Sequence, residues 1–317
     1  MSKILITRPM PKAVEDRARS MGDVTFRKET TPMSATEMVS ALHEFDVVLP
    51  TLGDQFSAHI FDQVDAPRAR LLANFGVGYN HIDVVAAKSK GIMVTNTPGA
   101  VTDATADIAM SLMLMTARRA GEGERMVRAG LWEGWHPTQM LGLHISGKTV
   151  AIIGMGRIGQ AIARRCHYGF GMKVVYASRS AKELDFPAEQ CLNITEAAAR
   201  ADVVMVAVPG GADTKHLINA AVFDAMQSHA VFVNIARGDV VDEAALIAAL
   251  QNGAIGGAGL DVYEFEPKVP SELIALENVT LFPHLGTASL EVRTGMGNMA
   301  LDNINAFITG QTPPNLV

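Results

Sequence analysis

Short apolar runs alternate with amphipathic stretches along most of the chain. In the N-terminal third, the apolar runs predict strands at residues 4–7, 24–26, 47–49, 71–75 and 93–95. Helical periodicity predicts helices between them, near residues 12–20, 34–42 and 82–89. Strands that are continuously apolar and alternate with helices are typical of parallel sheets covered on both faces. The pattern therefore predicts a doubly wound α/β domain.

A second series of apolar runs predicts a second doubly wound sheet. Its strands are predicted at residues 149–153, 174–177, 203–208, 231–235, 259–262 and 280–282. Between the two series, a turn signal at residues 96–99 leads into a long apolar helix over 102–119, which we take as the hinge element. A last helix is predicted over 289–310. Because it follows the final strand, we expect it to cross back to the first domain.

A glycine motif, GMGRIG at residues 154–159, follows the first strand of the second series, and a helical stretch over 160–165 comes next. In this strand–turn–helix context the motif predicts a site for a dinucleotide pyrophosphate. Gly154 permits the tight turn, Gly156 lets the backbone approach the phosphates, and Gly159 lets the helix pack on the strand. The helix N-terminus then faces the anion.

The residues after the second strand of that domain bear on the choice of cofactor. An enzyme that prefers NAD usually carries Asp or Glu there to hold the ribose hydroxyls. This chain has Ser178, Arg179 and Ser180 instead. Arg179 can pair with a 2′-phosphate, and the two hydroxyls can donate to it. We predict that NADPH is preferred; the alternative is a solvated Arg179 and a site that accepts either cofactor.

Composition and charge narrow the class of partner. At 317 residues with 48% hydrophobic residues, the chain is long enough for two cores. A net charge of −6 gives no reason to expect nucleic acid or an anionic membrane as a partner. Cys166 and Cys191 are too few for a disulfide framework and lack metal-ligand spacing, so no metal is predicted. Without a signal-peptide pattern or a bilayer-length apolar run, we expect a cytoplasmic protein with a small-molecule partner.

Three side chains near strand ends form the candidate reaction centre. Arg237 follows a strand end, where its planar guanidinium can bind a carboxylate or a ketone. His284 follows another, and near neutral pH an imidazole can both donate and accept a proton. Glu266 would favour the imidazolium if it hydrogen-bonds His284, although Glu264 is a rival carboxylate. The set suits hydride transfer to a 2-keto acid, whose carbonyl oxygen needs a proton.

These motifs, taken in order, resemble the D-2-hydroxyacid dehydrogenase family over the whole chain. The similar segments are GMGRIG at 154–159, NIARG at 234–238, GLDV at 259–262, Glu266 with Pro267, and PHLG at 283–286. The resemblance implies that Arg237 orients the substrate, that Glu266 supports His284, and that His284 is the acid/base. It also implies that Asp261 contacts the nicotinamide carboxamide.

The resemblance implies further contacts. Within the segment NFGVGYNHID at 74–83, the backbone amides of Val77 and Gly78 would receive the substrate carboxylate, which leaves His81 a poor catalytic candidate. The resemblance also implies cofactor contacts from the three glycines of the motif, residues 178–180, Arg237, Asp261 and His284. The remaining cofactor contacts that it implies are Arg157, Ile158, Val208, Pro209, Ile235, Ala236 and Gly286.

Three features resemble the glyoxylate/hydroxypyruvate reductase branch, which favours NADPH: LWEGWHP at 131–137, TDAT at 102–105, and Arg179. In that branch a Trp of this segment reaches the neighbouring subunit's active site, which here would be Trp135 in a homodimer. The alternative is that both tryptophans only pack the dimer contact. The resemblance also implies a flavodoxin-like substrate domain (residues 1–98 and 288–317), a Rossmann cofactor domain (residues 99–287), and an active site in the cleft between them.

The sequence thus predicts a cytoplasmic homodimer that reduces glyoxylate, hydroxypyruvate or a related small 2-keto acid to the D-2-hydroxy acid with NADPH. One alternative is an NAD-linked enzyme of the same family that acts on a bulkier substrate. Another is a nucleotide-sensing, corepressor-like binding protein, since some such relatives keep the three residues at the reaction centre.

Overall fold

The computed structural model describes residues 2–317, which form two compact units. One unit contains the chain up to Val101 together with Ala288–Val317, and the other is Thr102–Thr287. Each unit is built around its own parallel sheet, with apolar clusters on the two faces of that sheet.

The strands are β1 (Lys3–Ile6), β2 (Asp23–Phe26), β3 (Val47–Leu49), β4 (Leu71–Ala73), β5 (Met93–Thr95), β6 (Thr149–Ile153), β7 (Lys173–Ala177), β8 (Glu189–Gln190), β9 (Val203–Val206), β10 (Val231–Asn234), β11 (Gly257–Leu260) and β12 (Val279–Leu281). The helices are α1 (Lys12–Arg19), α2 (Ala35–Glu44), α3 (Ala58–Asp62), α4 (Val84–Ser89), α5 (Thr102–Ala117), α6 (Ala120–Arg128), α7 (Arg157–Phe170), α8 (Ile194–Ala199), α9 (Ala220–Ala225), α10 (Glu243–Gln251), α11 (Ser271–Ile274) and α12 (Leu290–Ile308).

The first sheet has five parallel strands in the order β2-β1-β3-β4-β5, the flavodoxin-like order. Helix α12 returns to this unit and packs against β4 and α1. The local sequence explains where α2 begins: Ser34 Oγ accepts from the Glu37 N–H at 3.2 Å, and the Glu37 carboxylate accepts from the Ser34 N–H at 2.7 Å. This reciprocal capping satisfies two backbone donors that the helix itself leaves unpaired.

The second sheet has seven parallel strands in the order β12-β11-β10-β9-β6-β7-β8. Its direction of winding reverses between β6 and β9, which is the Rossmann arrangement and places a switch point beside the glycine motif. Helix α5 lies close against β11, where Gly257 and Gly259 leave room for it. A β-carbon at Gly259 would lie 2.9 Å from the β-carbon of Leu112. The predicted fold class, two doubly wound parallel-sheet domains, is confirmed.

Several predicted bounds change. The run at 71–75 ends as a strand at Ala73, the run at 203–208 ends at Val206, and that at 259–262 shifts to Gly257–Leu260. The helix predicted over 160–165 is longer, because α7 begins at Arg157 and continues to Phe170. It ends at Gly171, whose φ of +61° is the left-handed conformation that glycine tolerates at a helix terminus.

Candidate active site

The glycine turn after β6 has the geometry that a dinucleotide pyrophosphate requires. Gly154 has a φ of +99°, and a β-carbon there would lie 2.8 Å from the Ala207 backbone. A β-carbon at Gly159 would collide with the Gly154 carbonyl oxygen, whereas one at Gly156 would meet nothing within 4 Å. Within residues 2–317, no side chain caps the N-terminus of helix α7 with a hydrogen bond. The turn therefore fits the predicted phosphate group.

The segment that follows β7 is polar and basic. The pairing of Ile153 with Ala177 keeps β6 and β7 in register, so Ser178 directly follows the strand end. Ser178 Oγ donates to the Ser180 carbonyl at 2.6 Å, which closes a small turn around Arg179. The Arg179 side chain is exposed, and within residues 2–317 it has no ion-pair or hydrogen-bond partner. A guanidinium in this state is available for an external anion.

Lys182 is a second cation at this place that sequence reasoning missed. Its ammonium group donates to Ser180 Oγ at 2.9 Å, and its backbone N–H donates to the Tyr176 hydroxyl at 3.1 Å. The carboxylate that an NAD-preferring site usually carries is replaced here by two hydroxyls and two cations. The sequence signal that could have indicated this second cation is the Lys that follows the Ser-Arg-Ser run by two residues.

His284 and Glu266 are in direct contact. His284 Nδ1 lies 2.9 Å from Glu266 Oε2, and a carboxylate can only accept, so Nδ1 carries a proton. The other Glu266 oxygen accepts from the Tyr263 N–H at 3.1 Å. The pairing through Nδ1 leaves Nε2, the outer nitrogen of the ring, for a ligand. His284 has a φ of +54°, a left-handed conformation that costs about 1–3 kcal/mol for a residue with a β-carbon.

Asp261 holds the turn that carries His284. Its carboxylate accepts from the Leu285 N–H at 2.6 Å and from the Gly286 N–H at 2.8 Å, while its carbonyl accepts from the His284 N–H at 3.0 Å. Burial raises the pKa of Asp261, and the two N–H donors and the nearby imidazole oppose that rise. Thr105 on α5 adds a bond to the Gly286 carbonyl at 3.2 Å. These bonds of Asp261 to the turn after β12 are contacts that the resemblance did not imply.

Arg237 lies in the turn after β10 and is partly buried. Asn234 shapes this turn: its Nδ2 donates to the Arg237 carbonyl at 3.0 Å and its Oδ1 accepts from the Ala236 N–H at 3.0 Å. Burial lowers the pKa of Arg237, and the charges of Glu266 and Asp239 oppose that shift. Among residues 2–317 no ion pair joins the guanidinium to either carboxylate. The structure therefore brings Arg237 close to the His284–Glu266 pair without neutralising it.

The rival carboxylate, Glu264, has a different partner. Its Oε1 lies 2.8 Å from His216 Nε2, and its backbone N–H donates to Glu243 Oε1 at 3.3 Å. The His216 N–H donates to the Asp239 carbonyl at 2.8 Å, so this second pair braces the turn after Arg237. Gly238 completes the contact, because a β-carbon there would collide with the backbone of Tyr263.

The remaining predicted cofactor contacts all lie in the second unit. Arg157 and Pro209 are exposed, Ile158 and Val208 are partly buried, and Ile235 and Ala236 are buried at the end of β10. Val208 lies against the glycine turn, since a β-carbon at Gly154 would be 2.8 Å from its Cγ1.

In the first unit, Val77 and Gly78 lie in the loop after β4. The Val77 side chain is exposed, while Asn74 at the start of the loop is fully buried. His81 is also buried, and its Nε2 lies 3.0 Å from Asn74 Oδ1. His81 thus lies behind the loop rather than on its exposed side.

The segment that carries the two tryptophans is exposed throughout. Helix α6 before it has no buried residue, and Trp132 and Trp135 are 54% and 79% exposed. In the amide orientation that satisfies both of its ends, Gln139 accepts from Trp132 Nε1 at 3.3 Å. Trp135 has no such bond within the described residues. Leu131 and Leu141, also exposed, extend the apolar surface of the segment.

Comparisons with known proteins agree with this geometry. The profile of the D-isomer specific 2-hydroxyacid dehydrogenase, NAD binding domain, matches residues 110–286. The glyoxylate reductase of Thermococcus kodakarensis is 42% identical over 99% of this chain and 96% of its own length. That of Pyrococcus horikoshii is 41% identical over 99% of this chain and 95% of its own length.

A solved structure gives the same result. The NADPH-dependent glyoxylate/hydroxypyruvate reductase of Sinorhizobium meliloti, in complex with NADP and malonate, is 35% identical. It superposes with a TM-score of 0.88 over 100% of this chain and 96% of the other. The two sheets, the glycine turn and these matches define a nicotinamide-dependent dehydrogenase. The chain belongs to the D-isomer specific 2-hydroxyacid dehydrogenase family, and the predicted resemblance is confirmed.

No helix within residues 2–317 has both the length and the apolar character needed to span a bilayer. In the same range, no group of three or more His, Cys, Asp and Glu side chains is arranged to hold a metal ion.

Proposed function

We propose that the chain reduces a small 2-keto acid, glyoxylate or hydroxypyruvate, to the D-2-hydroxy acid with NADPH. The observation that carries the proposal is the His284–Glu266 pair, because its geometry leaves a protonatable ring nitrogen in the same unit as the partly buried Arg237, whose charge interacts with that of Glu266. The names of the relatives support this substrate class, since the Thermococcus and Pyrococcus proteins are glyoxylate reductases.

His284 is proposed as the acid/base. With Nδ1 donating to Glu266, the imidazolium carries its second proton on Nε2 and can deliver it to the carbonyl oxygen of the substrate. The neutral ring that remains keeps its Nδ1 proton and its hydrogen bond to Glu266. When bound, a reduced nicotinamide supplies the hydride that reaches C2 of the keto acid. In the reverse direction, Nε2 takes the hydroxyl proton of the 2-hydroxy acid.

Arg237 and the loop after β4 are proposed to orient the substrate. A guanidinium can donate two parallel hydrogen bonds to a carboxylate or a carbonyl oxygen. The backbone N–H groups of Val77 and Gly78, which have no acceptor within residues 2–317, can donate to a carboxylate. With this assignment the first unit is the substrate domain, and the second, which contains the glycine turn, is the cofactor domain.

NADPH is the proposed cofactor because of the basic segment after β7. Arg179 is exposed and unpaired among the described residues, and Lys182 is close enough to share Ser180 with a phosphate. A phosphate group interacts well with such cations, whereas NAD has no charge at this position for them to neutralise. The NADP bound to the Sinorhizobium relative supports the same choice.

We further propose a cytoplasmic homodimer in which Trp135 reaches the active site of the neighbouring subunit. Helix α6 and the following segment, with Trp135 and Leu131 exposed, present an apolar surface of the kind that a second subunit covers. Trp132, by contrast, is held by Gln139 within its own chain. Trp135 is therefore the better candidate for a contact outside its own subunit.

The proposal is tested by following the loss of nicotinamide absorbance with glyoxylate, hydroxypyruvate and a bulkier 2-keto acid, each with NADPH and with NADH. We expect sustained turnover, highest kcat/KM for the small acids, and a preference for NADPH. Binding of NADPH without turnover of any keto acid would contradict the enzymatic proposal and favour a nucleotide-sensing protein. A preference for the bulkier acid with NADH would contradict the substrate and cofactor assignments.

Arg179→Asp tests the cofactor assignment separately. We expect its Kd for NADPH to rise about ten- to a hundredfold and its Kd for NADH to change little, because only NADPH loses a charge-assisted contact. Lys173→Asp is the matched control, since it makes the same charge change at the opposite end of β7. Equal losses for the two cofactors in Arg179→Asp would contradict the assignment.

A further inference from the structure

The loop after β4 has all three of its central carbonyl groups hydrogen-bonded. The Gly76 carbonyl accepts from Asn74 Nδ2 at 3.1 Å and from the Thr97 N–H at 3.0 Å. The Val77 carbonyl accepts from Asn96 Nδ2 at 2.9 Å, and the Gly78 carbonyl accepts from Asn74 Nδ2 at 3.0 Å. The side-chain amides of Asn74 and Asn96 therefore hold the loop. Each carbonyl oxygen from residue 76 to residue 78 accepts at least one hydrogen bond, which restrains the peptide plane to which it belongs.

Asn74 is fully used by these contacts. It is 0% exposed, and its Nδ2 gives both of its protons to main-chain oxygens. Its Oδ1 lies 3.0 Å from His81 Nε2, and since Oδ1 can only accept, that nitrogen carries a proton. The Gly76 and Gly78 carbonyl oxygens can only accept, so the NH₂ group of Asn74 must face them and its oxygen must face His81. No other residue of this size offers two donors and one acceptor in that arrangement.

Holding a carbonyl also fixes the direction of the next N–H group. A trans peptide is planar, and its C=O and N–H bonds point in opposite directions. The bonds to the Gly76 carbonyl therefore aim the Val77 N–H, and the bond to the Val77 carbonyl aims the Gly78 N–H. Within residues 2–317, neither N–H group has a hydrogen-bond acceptor. The Val77 N–H thus points away from Asn74, and the Gly78 N–H points away from Asn96.

We propose that Asn74 and Asn96 are positioning residues that aim the Val77 and Gly78 amides at the carboxylate of the substrate. The inference rests on the proposed function, which assigns those amides to the carboxylate. Asn74 acts on the Val77 amide through the Gly76 carbonyl, and Asn96 acts on the Gly78 amide through the Val77 carbonyl. His81 supports Asn74 from behind by fixing its acceptor end.

The test compares glyoxylate with methyl glyoxylate, an ester that has no carboxylate charge, as substrates of Asn74→Ala and of the parent enzyme. With glyoxylate, kcat/KM should fall about ten- to a hundredfold, mostly through KM, because misplaced donors bind the carboxylate poorly. With the ester it should change about twofold or less, so the preference for the acid is lost. The Kd for NADPH should remain at the parent value.

Asn96→Ala is the second variant, and it should show the same loss of preference, since it removes the hydrogen bond that holds the Val77 carbonyl. Ser34→Ala is the matched control: it removes a helix cap of the same unit, far from this loop in sequence, and should lower Tm without changing the preference. If the parent is active and both Asn variants keep its KM for glyoxylate and its preference for the acid, the inference is wrong while the proposed function stands. A parent that reduces no 2-keto acid overturns both.

Discussion

The second unit contains two His–Glu pairs that are alike in composition and differ in which ring nitrogen is engaged. His284 contacts Glu266 through Nδ1 at 2.9 Å, and His216 contacts Glu264 through Nε2 at 2.8 Å. Both histidines have a left-handed φ, +54° and +49°. Backbone strain, proximity to a carboxylate and partial exposure therefore do not separate the pair that we propose as catalytic from the other pair.

The engaged nitrogen does separate them. A pair through Nδ1 leaves Nε2 at the tip of the ring, where it can reach a bound molecule. In a pair through Nε2, the outer nitrogen of the ring already contacts the protein. Only Nδ1, the nitrogen nearer the main chain, is then left for another partner. The His216–Glu264 pair thus links two segments of the same chain, and the backbone N–H of His216 also donates to the Asp239 carbonyl in the turn after Arg237. We therefore expect proton transfer from His284 and support of the fold from His216.

The largest expected effect is the contrast between His284→Ala and His216→Ala. Loss of a general acid should lower kcat by about two to four orders of magnitude in His284→Ala. His216→Ala should keep kcat within about threefold, and its free energy of unfolding should fall by about 1–2 kcal/mol because Glu264 loses its partner. Steady-state kinetics and urea unfolding of the two variants measure both quantities. Equal losses of kcat would remove the distinction between the pairs.

A smaller contrast is expected when each carboxylate is made neutral. Glu266→Gln keeps an acceptor oxygen but removes the negative charge next to the proposed general acid, so kcat should fall about ten- to a hundredfold. Glu264→Gln makes the same chemical change beside His216 and should leave kcat nearly at the parent value. Rates at saturating substrate and cofactor test this. A loss of kcat in Glu264→Gln as large as that in Glu266→Gln would show that the structural pair also controls turnover.

Asp261→Asn tests a further difference between the two histidines, namely how the backbone turn that carries each of them is held. Of the two histidines, only His284 lies in a turn held by a carboxylate, that of Asp261, which accepts from Leu285 and Gly286. An amide presents one NH₂ group to these donors, so one bond is lost and the turn shifts. We expect kcat/KM to fall about tenfold and the free energy of unfolding to fall by about 1–2 kcal/mol. A variant with parental kinetics would show that the turn keeps its position without Asp261.

The sequence predicts best those elements whose pattern has a local physical cause. Strands β3, β5 and β6 were predicted with the observed bounds, because strands covered on both faces are continuously apolar. The glycine motif was recognised because each glycine has a separate steric reason. Strand β8 was missed, since it is an edge strand of two exposed residues with no apolar run.

The contacts of the candidate site depend on long-range folding and are harder to predict. Glu264 and Glu266 differ by two positions, and nothing local indicates that one lies beside His216 and the other beside His284. Their partners are set by how three strand ends come together. The role of Asn74 has the same origin, because a buried amide becomes informative only when the carbonyl groups around it are known.

The smallest expected effect is a pH-dependent one at Glu243, which accepts from the Glu264 N–H behind the structural pair. Burial raises the pKa of Glu243 above its usual 4.5, and the charge of Glu264 adds to the rise. A raised carboxyl pKa means that folding disfavours the ionised form, so the cost in folding free energy is present above the folded-state pKa and disappears as the pH falls below 4.5.

Glu243→Gln keeps the acceptor oxygen and removes that cost. It should therefore be more stable than the parent at pH 8, by less than about 1 kcal/mol, and no more stable at pH 4. Glu291→Gln, in the first turn of α12 and exposed, is the control for losing a charge at a helix N-terminus without burial. Urea midpoints at the two pH values decide the question, and a Glu243→Gln variant less stable than Glu291→Gln at pH 8 would reverse the sign argued here.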